Sequence, residues 1–148
     1  MKLELVTPFG IKRSEEVYEV VLPTTSGEIT VLPGHEPLVT ILAPGAMVVR
    51  RSNTDPDDLT EAIAVSRGIV EIANDVVSIL ANEAEEGDEI IEQEAKSALE
   101  RAQKMHAEAK DEIELENARQ ILQRQTTRLK VAELHRRRRK PRGTLPKQ

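Results

Sequence analysis

Few residues in this 148-residue chain have the chemistry to act on a substrate. One of its three histidines, His35, sits in the stretch GEITVLPGHEPLVTILAPG, from Gly27 to Gly45. An imidazole there could be a general base, a metal ligand or a turn residue. A catalytic base needs a nucleophile and an orienting group within reach. The loop offers Glu36 and Thr40 but no second histidine, no cysteine and no acid cluster. The pattern therefore favours a rigid turn shaped by Gly34 and Pro37, with the His35 ring hydrogen-bonded locally. Two acidic runs, NTDPDD and NEAEEGDE, invite a calcium reading. An EF-hand loop needs ligands at positions 1, 3 and 5 and a Glu at 12, and neither run has that spacing. They read as solvated loops. Cysteine is absent, which excludes a disulfide framework, a thiolate nucleophile and a Cys-based metal centre, and favours a reducing compartment. No cofactor is expected.

The strongest electrostatic feature is HRRRRKPRGTLPK. Between Arg136 and Lys147 it carries seven basic residues and no acid: Arg136, Arg137, Arg138, Arg139, Lys140, Arg142 and Lys147. A phosphate-binding tail, a solvated terminus and a surface for an acidic protein partner are all open readings. The chain has one Phe, one Tyr and no Trp, so it lacks the aromatic platform on which single-stranded nucleic acid stacks. The core must be aliphatic. The N-terminal MKLELVTPFG has no apolar stretch of the kind a secretion signal needs, and no window approaches a membrane span, so membrane association is expected only through a partner or through surface charge.

The elements that would position these residues come in two kinds. Through Gly87, short apolar and β-branched runs alternate with turn residues: KLELV, VYEVVLP, EITVL, LVTIL, MVVR, EAIAV, IVEIA and VVSILA. In the opening stretch, Val31, Leu32, Leu38, Val39, Ile41 and Leu42 form a buriable set. This spacing predicts an antiparallel β-sandwich or barrel, with IVEIANDVVSILA as a hairpin turning at Asn74-Asp75. From Asp88 to Lys140 there is no Gly or Pro, and good helix formers dominate. Ile91, Ala95, Ala98, Ala102, Met105 and Ala109 form one narrow seam, and Leu115, Ala118, Leu122, Gln125, Leu129 and Ala132 a second. The register breaks between them, where Asp111 and Glu114 can cap a new helix. An antiparallel two-helix hairpin is predicted, with one continuous helix as the alternative. The fold class is α+β, divided into 1–87 and 88–148. Residues 1–87 have net charge −9 and residues 88–148 net +4, which suggests different partners for the two parts. The alanine-rich first seam buries little area, so a weakly docked hairpin able to open is expected. The cations from Arg136 onward lie past the seams and are expected to be dispensable to the folded hairpin.

A strand domain followed by an alanine-seamed hairpin resembles the epsilon subunit family of bacterial F-type ATP synthases. GEITVLPGHEPLVTILAPG is similar to the family pattern Gly-Glu-x5-Gly-His-x-Pro-hydrophobic-x-Thr-x3-Pro-Gly, and LELVTPFG and AVSRGIVEIANDVVSILANEAE fall where the family has its first strand and final hairpin. The resemblance covers essentially the whole chain. It implies a non-catalytic central-stalk subunit at the cytoplasmic face of the bacterial plasma membrane. Residues 1–87 would bind the gamma subunit and the c-subunit ring. The helices, when extended, would reach the alpha and beta subunits and block ATP hydrolysis. It also implies that Glu28, with Ile29 and Thr30 beside it, contacts the c ring. The basic run would then be the inhibitory tail, and no nucleic acid would bind. Some members bind ATP through Ile-Asp-x-x-Arg-Ala at the start of the first helix. Aligned on Glu100–Ala102, this chain has Ile91 for the Asp and Glu94 for the Arg, so weak or no ATP binding is expected.

Overall fold

In a computed structural model of the chain, residues 1–139 are described. Ten strands come first: β1 (Lys2–Thr7), β2 (Gly10–Glu16), β3 (Glu19–Thr24), β4 (Gly27–Val31), β5 (Leu38–Leu42), β6 (Gly45–Arg50), β7 (Glu61–Val65), β8 (Gly68–Ala73), β9 (Val76–Ala81) and β10 (Ala84–Glu86). Two helices follow, α1 (Glu92–Glu108) and α2 (Glu112–Arg139). The strands hydrogen-bond in the order β10-β7-β6-β3-β5-β8-β9-β1-β2, with β4 added to β3. The sheet folds over at the β3–β5 junction, where Thr24 pairs with Leu42. Every pairing is antiparallel except β1 with β9, which is parallel.

Period-2 alternation builds the core. Leu3 and Leu5, Val20 and Leu22, Met47 and Val49, Ile63 and Val65, Val70 and Ile72, and Val77 and Ile79 all turn inward from their strands and are buried. The β8–β9 hairpin turns at Asn74 and Asp75, both left-handed (φ 51° and 62°), as a two-residue turn matched to strand twist requires. Two strands absent from the sequence reading are β2 and β10. Their sequences, GIKRSEE and AEE, are charged because both are edge strands.

The buriable set of the opening stretch splits in two. Val31 and Leu42 are core, but Leu32, Leu38, Val39 and Ile41 are exposed. Alternation marks two faces of a strand without saying which of them a partner covers. The helical seams hold in their middle and fray at their ends. Ala95, Ala102, Ala118, Gln125 and Ala132 are buried, while Ile91 and Met105 are exposed. Ile91 stands before the first helical residue as its N-cap, and Ile90 is buried against the sandwich in its place. The break between the helices is real. Asp111 accepts the Glu114 amide at 2.8 Å, and the Glu114 carboxylate accepts the Lys110 amide at 2.9 Å, a reciprocal cap.

Candidate functional site

The two layers of the sandwich each have an outer face, and the faces differ. On the layer β5-β8-β9-β1-β2, one row of outward residues runs across all five strands in direct register: Ile41 opposite Ile69, Ile69 opposite Leu80, Leu80 opposite Val6, Val6 opposite Ile11. Ile41 is 51%, Ile69 52%, Leu80 57% and Ile11 74% exposed. The adjoining β1–β2 turn adds Phe9, one of the chain's two aromatics, almost fully exposed. Scattered apolar residues on a surface are ordinary, but a contiguous row of large aliphatics marks an interaction surface. Of this row, the sequence alone marks only Ile41 as buriable. The signal available was that LVTIL carries Val39 and Ile41 where a solvated face would carry polar residues.

At one end of the row stands the β3–β4 hairpin, stitched to it where the Thr25 amide donates to the Ile41 carbonyl at 3.1 Å. Its tip is set by Gly27 (φ +112°) and by the Thr24 hydroxyl, which donates to the Gly27 carbonyl. Glu28 and Thr30 are exposed on β4, while Ile29 packs against the core, so the three do not share one face. The Pro-Gly turn lies at the far end of the five-residue β4, about 16 Å away at 3.3 Å per residue. There Gly34 (φ +82°) donates its amide to Asp75 Oδ1 at 2.8 Å, and the His35 amide donates to the Leu32 carbonyl. His35 Nδ1 lies 2.7 Å from the Glu36 carbonyl oxygen, which accepts from it, and Pro37 precedes β5. The turn thus anchors the loop to the β8–β9 tip, and Glu28 is stiffened by its pairing to β3 instead. Of the first acidic run, Asp55 accepts the Ser52 amide and Asp57 accepts from Arg50 at 2.6 Å, so those carboxylates shape a turn.

The opposite outer face, on β6 and β7, is made of small residues: Ala46 pairs with Ala64, and Ala62 with Val48. Helix α2 lies on it, burying Val131 and Ala132 with Ile90. A rim of charges surrounds this contact. Arg128 binds Glu85 bidentately at 2.8 and 3.2 Å and Arg124 reaches Glu83 at 2.6 Å. Further along, Arg138 reaches Glu61 at 2.8 Å. Glu61 also accepts from Arg13 (2.7 Å) and Arg51 (2.6 Å), and Arg13 continues to Glu15 and Glu86. Burial pushes the Glu61 carboxyl up, but hydrogen bonds from Arg13 and Arg138 outweigh it and hold the group below the usual carboxylate range. Glu15 behaves alike, raised by burial and lowered more by Arg13 and Arg51. The same partners hold the Arg13 guanidinium firmly charged, against the burial that opposes it.

This arrangement corrects one expectation. Arg136 pairs with Glu92 of α1 at 3.2 Å and Arg138 with Glu61 of β7, so the folded hairpin does use the basic run. The reason is length: α2 continues as helix to Arg139, bringing its last turn over the β7 edge. Among the described residues, Arg137 pairs with Glu133 on its own helix. Lys140 and Arg142 lie outside the described residues. No described helix is long and apolar enough to cross a membrane.

Comparisons with known proteins agree on one assignment. The family model for the beta-sandwich domain of the ATP synthase Delta/Epsilon chain matches residues 1–87. The chain is 43% identical to an ATP synthase epsilon chain of Syntrophobacter fumaroxidans over 90% of its length and 96% of that protein. It is 41% identical to the one of Staphylococcus haemolyticus, over 90% and 97%. Among solved structures, it resembles a chain of the Euglena gracilis mitochondrial ATP synthase, solved as OSCP/F1/c-ring. That match has TM-score 0.75 and 27% identity, over 88% of this chain and 79% of that one. A chain of the Tetrahymena thermophila mitochondrial ATP synthase central stalk and c-ring shares the fold at 12% identity and TM-score 0.56, over 87% and 96%.

Proposed function

The chain belongs to the ATP synthase epsilon-chain family, and from that premise we propose that it is a non-catalytic rotor subunit of a proton-translocating F-type enzyme. In this reading the sandwich is a rigid coupling between two partners. The apolar row docks on the gamma subunit, and the adjoining β3–β4 hairpin presents Glu28 and Thr30 to the polar loops of the c ring. The subunit works at the cytoplasmic face of the membrane, held there by the complex. The C-terminal hairpin is the regulatory part: lifted off the sandwich, it enters between the alpha and beta subunits and blocks ATP hydrolysis. With Glu94 in the first turn of α1, ATP binds weakly or not at all.

The observation that carries the reading is the in-register row Ile41–Ile69–Leu80–Val6–Ile11 beside the Glu28 hairpin. Large exposed aliphatics on a rigid sheet need no ordering before they bind, so little of the interaction energy is lost to conformational entropy. Rotor coupling needs stiffness of that kind. Glu28 sits on a strand fixed by five register pairs to β3, so torque passes through a hydrogen-bonded ladder instead of a loose loop.

The chain has no cysteine, which makes engineered thiols unique. Glu28→Cys should crosslink to cysteines placed in the c-subunit polar loop, and Ile69→Cys to cysteines on gamma. If Glu28→Cys reaches no c-subunit position while Ile69→Cys reaches gamma, the c-ring assignment is wrong.

A further inference from the structure

We propose that the contact between Gly87 and His135 is a steric latch that holds α2 on the sandwich and sets how readily the hairpin is released. The proposal deepens the regulatory reading of the hairpin and rests on it. Gly87 lies between β10 and α1. Its φ is not positive, unlike those of Gly10, Gly27 and Gly34, so no backbone conformation demands a glycine there. Space does. A Cβ at Gly87 would lie 2.3 Å from His135 Cβ, 2.8 Å from its Cγ and 3.2 Å from the Val131 carbonyl oxygen. The last two turns of α2 occupy the notch that the missing side chain leaves.

Neither side of the notch can retreat easily. The Glu89 amide donates to the Glu86 carbonyl at 3.0 Å, and the Glu89 carboxylate accepts the Glu86 amide at 2.7 Å, closing a tight box around Gly87. Arg13 clamps the Glu86 side chain at 2.8 Å, and Lys12 binds the other Glu89 oxygen. On the helix side, Arg138 is tied to Glu61 three residues further on. The fit is close but not comfortable. His135 Nε2 is buried with no hydrogen-bond partner among the described residues. Water would reach that nitrogen on undocking, so the docked state carries a built-in penalty that release relieves. A contact specified by shape, next to an unsatisfied polar atom, is tight when seated and poised to open.

The latch is tested in the isolated full-length chain with spin labels on Arg67→Cys and Gln120→Cys, which line the cleft between the sandwich and α2. The unmodified sequence should give one short distance. Gly87→Ala should shift the docked-to-released ratio by tenfold or more toward a long distance, with the strand circular dichroism intact. Adding His135→Gly to Gly87→Ala removes the two nearest clashing atoms, leaving the milder 3.2 Å approach to the Val131 carbonyl oxygen, and should restore the short distance, which a general loss of stability would not allow. His135→Trp, which enlarges the key instead of filling the notch, should release α2 on its own. An unchanged short distance in both Gly87→Ala and His135→Trp overturns the proposal, as does failure of His135→Gly to restore docking. Hydrolysis by assembled complexes separates the two layers of the argument. If Gly87→Ala releases α2 but leaves ATP hydrolysis unchanged, the latch stands and the inhibitory reading falls.

Discussion

The two outer faces of one sandwich are built for different kinds of contact. The face on β6 and β7 offers Ala46, Ala62 and Ala64 to α2, which answers with Val131 and Ala132 inside a rim of Arg–Glu pairs. The face on β5, β8, β9, β1 and β2 offers Ile41, Ile69, Leu80, Val6 and Ile11 and is covered by none of the described residues. At roughly 25 cal/mol per Å² of apolar surface buried, methyl groups contribute much less than isoleucine and leucine side chains. The first face therefore suits a contact that opens, trimmed by charges that fix geometry more than they add stability. The second suits a contact that, once made, stays. The proposed rotor role, with one permanent joint and one releasable arm, calls for that asymmetry.

Breaking the bare face should have the largest effect. Leu80→Asp places a charge in the middle of the row without touching the core residues Val77 and Ile79. Assembly into membranes should fall by a hundredfold or more while thermal unfolding of the isolated chain changes little. Quantitative immunoblotting of washed membranes checks this. Near-normal assembly would make the row an accident of composition.

The charged rim of the covered face comes next. Glu61→Ala leaves Arg13, Arg51 and Arg138 without a shared acceptor, and the partly buried site should lose about 2–3 kcal/mol, discounted from the cost of breaking a fully buried pair. Urea titration measures it. The pH dependence has a definite sign. The Glu61 and Glu15 carboxyls sit below their ordinary value in the folded state, so their contribution is present above the unfolded value of about 4.3 and is lost as pH falls through the folded one. Stability should therefore drop on acidification below about pH 4.5, and less steeply in Glu61→Gln.

The smallest effect belongs to the hairpin turn. Asp111→Ala removes the acceptor for the Glu114 amide and should cost about 1 kcal/mol of helix stability. Amide exchange in the first turn of α2 should quicken, with the sandwich amides unaffected. That cap was legible from the sequence, as were the core strands and the Asn74-Asp75 turn, because each rests on local chemistry of a few adjacent residues.

What was not legible depends on which surfaces meet. β2 escaped notice because its inward partners are ionic: Arg13 and Glu15 face each other and Glu61, a pattern that reads as solvated loop until the edge strand and α2 come together. Val39 and Ile41 looked like core because a strand with apolar residues on both faces has the same composition whether its outer face meets a helix, another subunit or water. Arg138 looked dispensable because nothing local reveals that the end of α2 docks over Glu61. His35, singled out for its chemistry, proved to sit in a turn bonded to the Glu36 carbonyl, while His135, unremarkable in sequence, closes the docked helix.

In the proposed rotor role the in-register apolar row, not exposed apolar surface in general, is the permanent joint. The direct measurement is the affinity of the isolated full-length chain for purified gamma subunit, comparing Ile69→Asp in the row with Ile113→Asp at the start of α2. Both residues are exposed, Ile113 more so, at 74%. Ile69→Asp should lose at least a hundredfold in affinity and Ile113→Asp should change it less than threefold. Equal affinities, or a greater loss at Ile113, would contradict it.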